Sequence, residues 1–166
     1  MLLRHAKAEP GNGAGDALRP LALAGRAQSG TVGTALAAAG LVPEVVLVSS
    51  AVRTRQTWEL VRGALGGAPE ADVDVTDRLY EAGVGDVVDL VRGVDPRVAT
   101  LLVVGHEPTM GAAAATLARP GAGSERALAA ARAGLSTASY AVLEVEEWAT
   151  LEPGAAVLLD VVRPPR

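Results

Sequence analysis

Three short runs without a polar residue limit what this chain can become: Met1-Leu2-Leu3, Val45-Val46-Leu47-Val48 and Leu101-Leu102-Val103-Val104. Runs this short suit strands buried on both faces rather than helices, which need a longer periodic stretch. Helical patterning separates them, so strand and helix signals alternate, as expected for an α/β fold with a mostly parallel sheet.

The spacing predicts a strand over Met1 to Arg4, a loop from Ala8 to Pro20, a helix from Leu21 to Ala39 stopped by Gly40, and a strand from Val45 to Val48. A helix follows from Ala51 to Leu65, with Ser49 or Ser50 as its cap. Asp72 to Thr76 reads as a short alternating strand, about Asp86 to Arg92 as a helix, and Ala99 to Val104 as a second buried strand. Thr109 to Ala133 is Ala-rich and helical in two pieces, broken at Pro120-Gly121-Ala122-Gly123. From Ser139 to Glu146 the period changes to two, though Tyr140, Val142 and Val145 are not quite in step, and Ala156 to Val162 supplies a partner strand for a C-terminal hairpin. Pro164-Pro165 reads as a frayed tail, and Gly11-Asn12-Gly13-Ala14-Gly15 as a flap, since its glycines lack dinucleotide-loop spacing. Trp58 and Trp148 are expected in the core or the hairpin. The first strand spans only about four residues, short beside the usual ~5–6. Either the central strand is trimmed or the true start lies upstream.

At 166 residues the chain suits a single domain over 1–166. The absence of cysteine excludes a disulfide framework and any thiolate metal site, and two histidines cannot build a histidine-rich one. A net charge of −4 gives no field for nucleic acid. No run approaches the roughly 20 apolar residues of a membrane span, so a cytoplasmic protein without a membrane partner is expected. Anion binding would need a local cluster, and with Lys7 the only lysine the cations are almost all arginine, whose planar fork matches a pair of phosphate oxygens.

The only two histidines, His5 and His106, both follow strand signals, and ligands of open α/β sheets bind at the carboxyl ends of strands. Arg4 precedes His5. Arg53 falls in the first turn of the helix after Val45 to Val48, where a cation opposes the helix dipole unless an anion shares that end. Pro108 suits the first turn of the helix after His106, because the amide it lacks would be unpaired there. Each feature alone has an ordinary explanation, a core histidine or a solvated arginine; three together at three sheet ends point to one phosphate site. Ser49-Ser50 lacks the GxSxG context of a serine hydrolase.

Leu3-Arg4-His5, Ser50 to Thr57 and Val104-Gly105-His106-Glu107-Pro108 resemble the motifs of the histidine phosphatase superfamily, which includes the phosphoglycerate mutases. Asp16-Ala17-Leu18-Arg19-Pro20-Leu21, Val46 to Ser50 and Ser136-Thr137-Ala138 with its hairpin are similar to the small SixA-type phosphohistidine phosphatases. Ala6 stands where many members carry glycine, a change common in the SixA-like branch.

The resemblance implies a three-layer α/β/α, phosphoglycerate mutase-like fold with a mostly parallel central sheet and a C-terminal hairpin. It implies attack on phosphorus by neutral His5, a covalent phosphohistidine hydrolysed by water, and Arg4, Arg53 and His106 on the non-bridging oxygens. No cofactor or metal is implied, since the arginines take the role magnesium plays elsewhere, and the arginine cluster is expected to lower the pKa of His5. Glu81 matches the position of the general acid, with Asp77 as a rival, and alternatively caps the next helix. Arg19 either reaches the phosphate or pairs with Asp16; Glu107 either orients His106 or favours the start of its helix. The expected substrate is a phosphorylated protein, phosphohistidine first, or a small phosphate ester, and inorganic phosphate or sulfate would fit the site. The opposing reading is a non-catalytic phosphate-binding protein.

Overall fold

The computed structural model describes residues 1–11, 13 and 15–163. Asn12 and Ala14 of the expected flap, and Pro164 and Pro165 of the expected tail, lie outside the described residues. The strands are β1 (Leu2–Arg4), β2 (Val45–Ser49), β3 (Asp72–Thr76), β4 (Leu101–Gly105), β5 (Tyr140–Glu144) and β6 (Val157–Val162). The helices are α1 (Leu23–Ala38), α2 (Val52–Gly63), α3 (Val84–Arg92), α4 (Thr109–Leu117) and α5 (Glu125–Arg132), with 3-10 turns at Asp16–Leu18 and Asp77–Leu79.

All six strands join in one sheet of order β3-β2-β4-β1-β5-β6. The first four are parallel, and β5 runs antiparallel to both β1 and β6. Successive residues of a strand face opposite sides, so the apolar runs feed two cores at once. Leu2, Leu47, Leu101 and Val103 pack under α3, α4 and α5, while Leu3, Val46, Val48, Leu102 and Val104 pack under α1 and α2. The result is a three-layer α/β/α arrangement. Its central pair, β1 and β4, is shielded on both faces, which is why these strands carry no alternation.

The short β1 is supported beyond its own length: the Met1 carbonyl accepts from the Val103 amide at 2.9 Å, and its amino group donates to the Leu101 carbonyl at 2.7 Å. The imperfect period of β5 has a physical cause in a register shift against β6 between Val142 and Leu143. Trp58 is buried, and the Trp148 indole donates to the Val98 carbonyl at 2.8 Å. Neither serine caps α2: its N-cap position is Ala51, which makes no side-chain bond, and Ser49 is committed elsewhere. Gly25 lets α1 approach the segment that follows His5, for a Cβ there would fall 2.0 Å from the Lys7 carbonyl oxygen.

Candidate active site

Three adjacent strands, β2, β4 and β1, deliver one group each to the same edge of the sheet. From β1, the His5 amide donates to the Gly105 carbonyl at 3.0 Å, continuing the parallel pairing past the strand end. The His5 Nδ1 lies 2.7 Å from the Ala6 carbonyl oxygen. A carbonyl can only accept, so Nδ1 carries the proton and Nε2 keeps its lone pair. Ala6 is completely buried, and its amide donates to Thr57 Oγ1 at 3.0 Å while that hydroxyl donates to the Arg53 carbonyl at 2.7 Å. Thr57 therefore fixes the segment after β1 against α2.

Arg53 stands in the first turn of α2, with its side chain only 8 % exposed. One edge of its guanidinium, Nε and Nη2, faces His5 Nε2 and His106 Nδ1, each at 3.3 Å. The end, Nη1 and Nη2, donates to the Asp16 carbonyl oxygen at 2.7 Å and Asp16 Oδ2 at 2.9 Å. Asp16 also receives Arg19 Nη1 at 2.7 Å and the Tyr80 hydroxyl at 2.8 Å. This carboxylate is the anion that lets a cation sit at the start of a helix.

From β4, His106 presents Nδ1 to Arg53 and Nε2 to Ser49 Oγ, 2.8 Å away. Arginine only donates, so Nδ1 is the acceptor and neutral His106 carries its proton on Nε2, donated to Ser49. The two imidazoles lie 5.2 Å apart between centroids, and Tyr80 meets the His106 ring edge-on at 5.6 Å. Arg4 donates from Nη1 to the Leu135 carbonyl at 2.6 Å, whereas its buried Nε has no partner. A buried donor without an acceptor among the described residues is uncommon.

Burial is the largest cause that pushes both histidines down to about 4; Arg53, Arg4 and Arg19 add to it at His5, and Arg53 leads the neighbouring charges at His106. The expected arginine effect is thus present but second to desolvation. Asp16 is held down at about 2, first by the Tyr80 hydroxyl and then by Arg19 and Arg53.

The structure brings Arg4, His5, Arg53 and His106 together. Arg19 takes the ion-pair option with Asp16, at 2.7 Å, and donates from Nε to the Glu9 carbonyl at 2.9 Å. Glu107 does not touch His106: Oε2 accepts the Gly111 amide at 3.0 Å and Oε1 accepts the Leu135 amide. Glu81 is exposed on the turn beside Tyr80 and makes no hydrogen bond or ion pair among the described residues. Helix α3 is capped instead by Asp86, whose Oδ2 accepts the Gly83 amide at 2.8 Å. Sequence reasoning missed Tyr80, Ser49 and Thr57. Thr57 had a usable signal, lying four residues after Arg53 and so on the same helix face.

The two depressed histidines make acid stability a test of this geometry. Folded values near 4 lie below the ordinary ~6.5, so between those limits the unfolded chain binds more protons than the folded one. The contribution of the two rings is therefore complete above pH ~6.5 and declines as pH falls toward ~4; the buried Met1 amino group, pushed from 8.0 down to about 5, adds a loss between those values in wild type and variant alike, and the Asp16 contribution is lost only lower, between its ordinary value of 3.8 and about 2. The melting temperature should fall from pH 7 to 4.5, and fall less in a His5→Asn, His106→Asn double variant. An equal fall in both proteins would show that the rings are not its source.

The family model of the histidine phosphatase superfamily (branch 1) matches residues 1–95. An uncharacterized protein of Mycobacterium tuberculosis is 39 % identical over 159 residues, covering 95 % of this chain and 96 % of the relative. A structure from Nakamurella multipartitia, assigned as a phosphohistidine phosphatase SixA, superposes with a TM-score of 0.83 at 32 % identity, covering 99 % of this chain and 96 % of that one. The protein histidine phosphatase SixA complexed with tungstate gives 0.79 at 27 %, covering 98 % and 95 %. With more than half of its length matched by the family model and His5, His106 and Arg53 gathered at one sheet edge, this chain belongs to the histidine phosphatase superfamily.

Proposed function

We propose that this protein is a metal-independent phosphatase that works through a covalent phosphohistidine on His5 and removes phosphate from phosphohistidine in proteins. The observation that carries the reading is the state of His5: its proton is committed to the Ala6 carbonyl, and its Nε2 lone pair opens onto the donor edge of Arg53 at 3.3 Å. Phosphate entering between the two imidazoles would take over the Nε and Nη2 donors of Arg53 and satisfy the unpartnered Nε of Arg4. The dianion favours a protonated His106, which then donates from Nδ1 to a phosphate oxygen.

In the first step the bond from His5 Nε2 to phosphorus forms as the bond from phosphorus to the leaving group breaks. Water then cleaves the new bond and releases inorganic phosphate, with His5 regenerated. Arg4, Arg53 and His106 balance charge on the non-bridging oxygens in both steps. Arg19 acts at one remove, by holding Asp16 behind Arg53.

A leaving imidazole that carries a proton on its other nitrogen departs neutral and needs little acid assistance, whereas an alkoxide needs a proton. Asp16, held near 2, has none to give at neutral pH. Glu81, which the resemblance puts in the acid's place and which is exposed and free of ion pairs among the described residues, is the residue we assign as the acid for ester substrates. The similarity to the tungstate-complexed SixA supports an oxyanion in the site.

The test compares kcat/KM on a histidine-phosphorylated protein with a panel of phosphate monoesters. The phosphohistidine protein should lead, and Glu81→Gln should lower ester turnover roughly 10²-fold while changing phosphohistidine turnover only a few-fold. Equal losses on both substrates would remove Glu81 from the acid role, and a monoester that leads the panel would replace the substrate.

A further inference from the structure

We propose that Glu107 is a positioning residue for Arg4, which it controls through the backbone of Leu135; the inference rests on the phosphatase reading above. Glu107 follows His106, yet its carboxylate turns away from that ring. Oε2 accepts the Gly111 amide in the first turn of α4, at 3.0 Å, and Oε1 accepts the Leu135 amide in the segment between α5 and β5. The carbonyl of the same Leu135 accepts Arg4 Nη1 at 2.6 Å, the one hydrogen bond recorded for the Arg4 guanidinium among the described residues. Glu107 fixes where this carbonyl stands, and the carbonyl fixes where the free Nε of Arg4 points.

The seat is built for a carboxylate. Gly111 leaves room for it, since a Cβ there would fall 2.5 Å from Oε1 and 2.9 Å from the Ala131 carbonyl oxygen. Both partners of the side chain are N–H donors, so an amide cannot serve both: Glu107→Gln must turn its –NH2 group toward one of them. The buried donor left facing it loses its acceptor, and the Leu135 segment shifts. His106 and Glu107 thus divide two tasks between neighbours, one lining the oxyanion site and the other aligning the arginine that reaches it from β1.

A double-mutant cycle on 4-nitrophenyl phosphate separates positioning from general damage. Glu107→Gln alone should lower kcat/KM by ~10–100-fold, the range of supporting contacts to a site, and weaken inorganic phosphate binding, read by calorimetry. In an Arg4→Ala background the same change should alter phosphate affinity less than ~2-fold. Equal losses of affinity in both backgrounds, an unaltered single variant, or coupling to His106→Ala in place of Arg4→Ala would overturn the proposal. A wild type that turns over no phosphate compound would instead overturn the phosphatase reading, so the two failures are distinguishable.

Discussion

Replacement of His5 by alanine is expected to lower turnover of an aryl phosphate by at least ~10⁴-fold while inorganic phosphate still binds. The change removes the atom that bonds to phosphorus, and a covalent route cannot be partly maintained without it. The oxyanion donors remain: Arg53 is held from behind by the Asp16 carbonyl at 2.7 Å and carboxylate at 2.9 Å, and Arg4 by the Leu135 carbonyl at 2.6 Å. Phosphate affinity should therefore change by no more than ~10-fold. Wild-type protein quenched during turnover should carry acid-labile, base-stable phosphate, absent from the variant. A variant that keeps its turnover, or a wild type that turns over without such phosphate, would reject the covalent route. Phosphate binding without turnover in the wild type would favour the binding-protein alternative.

How the site is put together explains which parts of it a sequence exposes. His5, Arg53 and His106 each follow an unbroken apolar run, and a parallel sheet brings the carboxyl ends of such runs to one edge whatever the loops do. That is enough to gather them before any contact is known. Asp16 reaches Arg53 across 37 positions and Tyr80 across 64, and no local pattern encodes either approach. A carboxylate three residues from Arg19 reads as a local ion pair, so its larger role behind Arg53 stays hidden.

Ser49 misled for a related reason. It stands two residues before the N-cap position of α2, close to where serine caps by preference, but as the last residue of β2 it faces the β4 side of the edge and meets His106 at 2.8 Å. Membership in a sheet decided against the local propensity. At Tyr80-Glu81 the charged residue draws attention by its chemistry, while the tyrosine beside it is the one that enters the hydrogen-bonded cluster. Glu107 shows the same limit from the other side: its helix-start bond to Gly111 was foreseeable, its bond to Leu135 was not, because the second depends on how the segment before β5 folds back.

Arg53→Lys is expected to reduce kcat/KM by ~10³-fold although the positive charge is kept. Arginine at this position donates from two edges of one plane. Nε and Nη2 face His5 and His106, each at 3.3 Å, while Nη1 and Nη2 grip Asp16. The second grip sets the angle of the first, so a bound phosphate would meet two parallel donors already aligned with the nucleophile. An ammonium is a single point with rotating hydrogens and cannot hold Asp16 and present a fixed pair to phosphate at once. Pre-aligned arginines on a transferring phosphoryl group are worth ~10³–10⁵ in rate elsewhere. If Arg53 acted by charge alone, lysine would restore most of the rate and the loss would stay below ~10-fold. The size of the deficit thus measures alignment apart from charge, and steady-state kinetics on one substrate with matched melting curves decides between them.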